Sequence, residues 1–145
     1  MRGKKICVDT NVLLRILVKD DADQLEKALA VFKNAHRLGY KLHVLPIALL
    51  EVVWVLEKVY RLSRSRIREI VEGIIFTPGL KVEKAQVFLE ALRDYEEKNV
   101  KFADALMAYW ALSENLSGIV TFDRKHFQRI KKLEVIAPEI FLCDR

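Results

Sequence analysis

The feature that most constrains the fold is an alternation along the chain. Apolar runs too short for helices are interleaved with longer stretches whose apolar residues recur at helical spacing. Residues 5–8, 42–45, 80–82, 119–122 and 134–136 read as strands, the first as a buried one. Residues 12–18, 22–38, 47–60, 84–98, 102–114 and 124–130 read as helices, as does a stretch capped by Ser63 and running to Ile75. In the helix of residues 22–38, Leu25, Ala28, Leu29 and Phe32 form one apolar stripe, and Gly39 ends it. Pro46 suits a first helical position, and Thr77-Pro78-Gly79 makes a turn. Strands alternating with helices point to an α/β/α sandwich around a short, mostly parallel sheet.

The 145 residues suit one domain, residues 1–145, since halves would be too small to bury good cores. Apolar runs such as residues 52–56 are far short of a membrane span. The start, Met-Arg-Gly-Lys-Lys, lacks the long apolar core of a signal peptide, so a cytoplasmic location without membrane association is expected. Cys7 and Cys143 make neither a CxxC pair nor a disulfide framework. Between Ile6 and Val8, Cys7 reads as a small buried apolar residue. His36, His43 and His126 show no metal-binding spacing, and no GxSxG elbow, P-loop or GxGxxG occurs. These absences remove the common hydrolase, nucleotide triphosphatase and dinucleotide-binding classes.

Four carboxylates stand in apolar company. Asp9 ends Ile6-Cys7-Val8 and Asp123 ends Ile119-Val120-Thr121-Phe122, both at the carboxyl ends of strands, where open α/β sheets place ligands. Glu51 interrupts a very apolar helix and has no cation at helical spacing, so it wants one from elsewhere. Asp104 lies near the start of an alanine-rich helix. Asp9 and Asp123 also suit helix caps, and Asp104 suits a helix N-terminus or a pair with Lys101. Converging on one sheet edge, the four would repel unless a hard cation neutralised them. Oxygen ligands without His or Cys select Mg²⁺ or Mn²⁺ over zinc. The net charge of +5 is compatible with a polyanionic partner for such a site.

Four segments carry a family resemblance: Val8-Asp9-Thr10-Asn11-Val12-Leu13-Leu14, Leu49-Leu50-Glu51-Val52-Val53-Trp54, Phe102-Ala103-Asp104-Ala105-Leu106, and Thr121-Phe122-Asp123 followed by Phe127. In this order and separation they resemble PIN-domain nucleases, particularly the small VapC-like toxin ribonucleases. The resemblance implies an endoribonuclease whose acidic site, Asp9, Glu51, Asp104 and Asp123, binds Mg²⁺ or Mn²⁺ and hydrolyses RNA phosphodiester bonds. It also implies a toxin–antitoxin role with an antitoxin partner, and a homodimer. Asn11 would orient the Asp9 region, and Thr121 would place a hydroxyl at the rim. Lys101 stands where many relatives carry an acid, so that position receives no metal role.

A basic stretch, Arg124, Lys125, His126, Arg129, Lys131 and Lys132, follows Asp123 directly. It reads either as a grip on RNA phosphates, chiefly through Arg124, Lys125 and Arg129, or as a solvated helix face. Arg61, Arg64, Arg66 and Arg68 lie farther along the chain from the acids. Trp54 and Trp110, in apolar helices, read as core or interface residues. Three rival functions remain: an RNA-processing nuclease without an antitoxin, a non-catalytic binding scaffold of the same fold, and a phosphoryl-transfer protein. The last is disfavoured because a receiver domain wants adjacent acids near its first strand and a late strand-end Lys. An aspartyl phosphatase wants a second Asp where Asn11 stands.

Overall fold

A computed structural model describes residues 3–130 and 132–142, apart from the side chain of residue 126. Lys131, Cys143 and the His126 side chain lie outside the described residues. The chain divides into two compact units, one ending at Ala85 and one starting at Gln86.

The first unit runs β1 (Lys4–Cys7), α1 (Thr10–Val18), α2 (Ala22–Asn34), β2 (Tyr40–Val44), α3 (Pro46–Lys58), α4 (Arg64–Ile75) and β3 (Leu80–Val82). Its strands are parallel in the order β1-β2-β3, with Ile6 beside Leu42 and Val44 beside Val82. Parallel neighbours need crossover connections, and the helical stretches supply them. One sheet face is apolar: Leu42, Val44 and Val82 are buried, as are Leu13 and Leu14 of α1 and Leu49, Val52 and Val53 of α3. Helix starts follow local chemistry. The carboxylate of Asp21 accepts the Gln24 amide at 3.1 Å, the Ser63 hydroxyl accepts that of Arg66 at 3.1 Å, and Pro46 opens α3.

Two expectations are corrected here. β1 is exposed along its length, Cys7 included, because it stands at the edge of the three-stranded sheet; only with Val8 does the chain become buried. The second helix stops at Asn34 rather than Leu38, and tight turns then lead to Gly39, whose φ of 86° is left-handed and suits glycine.

The second unit holds α5 (Ala85–Glu97), α6 (Phe102–Ser113), β4 (Gly118–Val120), α7 (Arg124–Gln128) and β5 (Glu134–Ile136), followed by a 3-10 turn at Pro138–Phe141. Phe102 packs on Phe88 and Tyr95, with ring centroids 5.9 and 5.7 Å apart. β4 and β5 are parallel, and a Cβ at Gly118 would lie 2.8 Å from the Glu134 carbonyl oxygen, so this close pairing requires glycine. β4 ends at Val120, short of the expected Phe122, whose side chain is 89% exposed. The cause is local: the Thr121 hydroxyl accepts the Asp123 amide at 2.9 Å and bends the chain out of the strand. Among the described residues no helix is long and apolar enough to cross a membrane.

Candidate active site

Asp9 leaves β1 and caps α1, its carboxylate accepting the Thr10 amide at 2.8 Å. Thr10, buried in the first turn of α1, donates its hydroxyl to Glu51 Oε1 at 2.6 Å. This bond spans 41 residues and joins α1 to α3. Asp9 and Glu51 are therefore gathered around one threonine at the carboxyl end of β1, and both are exposed. Glu51 does not suffer the burial that its apolar neighbours in sequence suggest. Val52 and Val53 face the core, while Glu51 shares an outward face with Ile47 and Trp54, which are 66% and 58% exposed. Its hydrogen-bond partner within the chain is the Thr10 hydroxyl. Asn11 is exposed and makes no hydrogen bond to Asp9 among the described residues.

In the second unit, Asp104 is half-buried in the first turn of α6, where a negative charge complements the helix dipole. Lys101 precedes that helix and forms no ion pair with it among the described residues. Small side chains hold the helix close to its neighbours, Ala105 and Ala108 being fully buried. Asp123 is exposed at the start of α7, and its side chain does not cap that helix. Thr121 sets its position through the bend described above. α6 packs against α7, so the elements carrying Asp104 and Asp123 are neighbours.

The structure thus gathers Asp9 and Glu51 in one unit and places Asp104 and Asp123 on adjoining elements of the other. Among the described residues, no three acids, histidines or cysteines are grouped as a ready ligand set. The donors are all oxygens, which fits a hard divalent cation and not zinc.

The basic residues after Asp123 divide into two kinds. Arg124, Lys125 and Arg129 are all exposed and differ in what they bond. Arg129 Nη1 donates to the carbonyls of Lys98 and Asn99 at 3.2 and 3.4 Å, and Lys98 Nζ donates to the Arg129 carbonyl at 3.2 Å. Arg129 therefore latches the end of α7 to the end of α5.

Sequence reasoning missed Asp94, which is fully buried on α5. It accepts the Tyr109 hydroxyl, with Arg93 Nε and Lys98 Nζ each 3.5 Å from its oxygens. Burial, then the hydrogen bond to Asp94, raises the Tyr109 phenol above its ordinary pKa of 10.0. A signal was present: Asp94 falls within the stripe of Ala91, Leu92 and Tyr95, with Lys98 one turn on.

Parallel strands followed by acids, with a further acid in a helix's first turn, define a class of small α/β domains. The chain belongs to the PIN domain family, which matches residues 6–133. It is 31% identical over 126 residues to a VapC ribonuclease from Aquifex aeolicus (strain VF5), covering 87% of this chain and 90% of the relative. It is also similar to a chain in the crystal structure of VapBC2 from Rickettsia felis bound to a DNA fragment from their promoter. That match has 20% identity and a TM-score of 0.34, covering 92% of this chain and 98% of that one.

Proposed function

We propose that this chain is a divalent-metal-dependent endoribonuclease, the cytoplasmic toxin of a toxin–antitoxin pair, with residues 1–145 working as one nuclease domain. Asp9, Glu51, Asp104 and Asp123 hold Mg²⁺ or Mn²⁺, and RNA is the substrate. The observation that carries this is the Thr10–Glu51 hydrogen bond, which brings the acid ending β1 and the acid of α3 to one threonine. Membership of the PIN domain family and the 31% identity to a VapC ribonuclease support the activity and the antitoxin partner. A hard cation held by carboxylates supplies Lewis-acid polarisation of a phosphate and acidifies water beside it. The chain's own residues do the positioning. Thr10 fixes the Glu51 carboxylate, the Thr121 bend presents Asp123, and Arg124 and Lys125, with the charge of Arg129, hold RNA phosphates.

The test is cleavage of RNA by purified protein with Mg²⁺ or Mn²⁺. EDTA abolishes it, and Asp104→Asn removes it while leaving the circular dichroism spectrum unchanged. Full activity in that variant, or EDTA-resistant cleavage that copurifies with the protein, would overturn the proposal.

A further inference from the structure

Among the described residues, Asp94 of α5 is the one charged side chain that is fully buried. A buried ionic network is a poor source of stability, because apolar side chains of similar size fill the same space without desolvating a carboxylate. Asp94 even keeps one oxygen, Oδ1, without a hydrogen-bond partner. What such a network can supply instead is direction, and the partners of Asp94 show where direction is used.

The first partner is on α6. Tyr109 donates its hydroxyl to Asp94 Oδ2 and accepts from Arg93 Nη2 at 3.3 Å, so it is held from two sides. The contacts of Phe102 with Phe88 and Tyr95 join the same two helices, but apolar contact is non-directional and resists separation more than rotation. Tyr109 lies five residues past Asp104, about 140° around the helix and about 7.5 Å along it. A bond on that side sets the roll of α6 without touching the carboxylate on the other. A roll of about 20° would swing a carboxylate about 6 Å from the axis through about 2 Å, whereas metal ligation tolerates about 0.2 Å. The second partner reaches α7. Lys98 Nζ stands 3.5 Å from Asp94 Oδ2 and donates to the Arg129 carbonyl at 3.2 Å, while Arg129 returns bonds to the carbonyls of Lys98 and Asn99. Arg129 closes the carboxyl end of α7, and Asp123 stands at its amino end.

The geometry points to Asp94 as a positioning residue: through Tyr109 it sets the roll of α6 and through Lys98 the seat of α7, so that Asp104 and Asp123 are held in ligand geometry before an ion arrives. This rests on the metal-dependent function proposed above. Carboxylates brought toward one ion repel each other, and helices fixed from behind keep them from relaxing apart. Asp94 is itself no ligand, since its carboxylate is enclosed by Tyr109, Arg93 and Lys98.

The experiment compares wild type with Tyr109→Phe, Lys98→Met and the double variant Asp94→Leu/Tyr109→Phe. Its readouts are thermal melts, amide NMR spectra without metal, Mn²⁺ binding by electron paramagnetic resonance, and RNA cleavage. Without metal, Tyr109→Phe shifts the amides of residues 103–105, and Lys98→Met shifts those of residues 124–128. The double variant replaces both buried partners with apolar groups and melts close to wild type. Its Mn²⁺ affinity nevertheless stays about tenfold lower. Its kcat on RNA falls about a hundredfold with KM little changed, as expected for misplaced rather than missing ligands. A purely structural Asp94 would let Mn²⁺ affinity return with the melting temperature, and that result would overturn the inference. So would single variants in which neither set of amides moves. Should the double variant not fold, the single variants decide, because each keeps the Asp94 carboxylate and Lys98 is partly exposed. A wild type that bound no Mn²⁺ and cut no RNA would end the proposed function. The metal-free amide shifts would still decide whether Asp94 sets the two helices.

Discussion

Asp94 is fully buried and has one carboxylate oxygen, Oδ1, without a hydrogen-bond partner, while Oδ2 accepts from Tyr109. Tyr109→Phe removes that donor and leaves a buried carboxylate poorly satisfied, which costs about 1–3 kcal/mol at neutral pH. The tyrosine also gives alkaline unfolding a definite sign. Its folded-state pKa lies above 10.0, so the native protein keeps a proton that the unfolded chain releases. The contribution is complete below pH about 10 and is lost as pH rises through the raised value. Urea melts from pH about 8 to about 11 should show a steeper fall in wild type than in Tyr109→Phe; equal alkaline slopes would contradict it. At this scale the sequence is informative about which residues matter and less so about why. Glu51 stands out by its apolar neighbours, yet it is exposed and held by Thr10. A partner 41 residues away leaves no trace in local spacing.

Elements are most legible where a side chain acts on its own backbone. Pro46 marks the start of α3 and Ser63 that of α4, because capping is decided within one turn. The ends of α2 and β4 differ from expectation because turns at 35–38 and at Thr121 override an apolar pattern that runs on past them. β1 reads as buried because Ile6, Cys7 and Val8 are apolar or small, but its surroundings depend on its place at the edge of the sheet, which hydropathy does not encode. α7 yields a prediction of the same kind. Arg124, Lys125 and Arg129 are all exposed, and Arg129 also ties α7 to α5. Arg129→Ala should lower the melting temperature, consistent with a loss of about 1 kcal/mol or more for hydrogen bonds from a charged group. The Arg124→Ala/Lys125→Ala pair should leave melting nearly unchanged and reduce the salt dependence of RNA binding. Thermal melts and salt titrations on both variants separate the two roles. An undiminished salt slope in the pair would mean these residues are only a solvated face.

At the scale of the molecule, apolar side chains stand uncovered on α3, at Ile47 and Trp54, and just past the ends of α3 and α4, at Val59 and Phe76, the last 68% exposed. A second copy is the expected cover, and light scattering at micromolar concentration should report a dimer; a monomer would count against it. The central claim is that acids from both halves of the sequence, Asp9 and Asp104 among them, bind one cation. The expectation of one shared set rests on the matching segments in the PIN order, since ligands of one ion are constrained in type and succession even when far apart along the chain. Thermal melts of wild type, Asp9→Asn, Asp104→Asn and the double variant, with and without Mn²⁺, test it directly. An ion that binds only the folded site adds about 2.7 kcal/mol at a hundredfold excess over Kd. The expected result is that metal raises the wild-type melting temperature, each single variant loses most of that rise, and the double variant loses no more than the worse single one. Without metal, each Asn variant should melt higher than wild type, because one of several repelling charges is gone. If the variants melted lower without metal and responded to Mn²⁺ as wild type does, the acids would be acting as separate helix caps and the shared site would not exist.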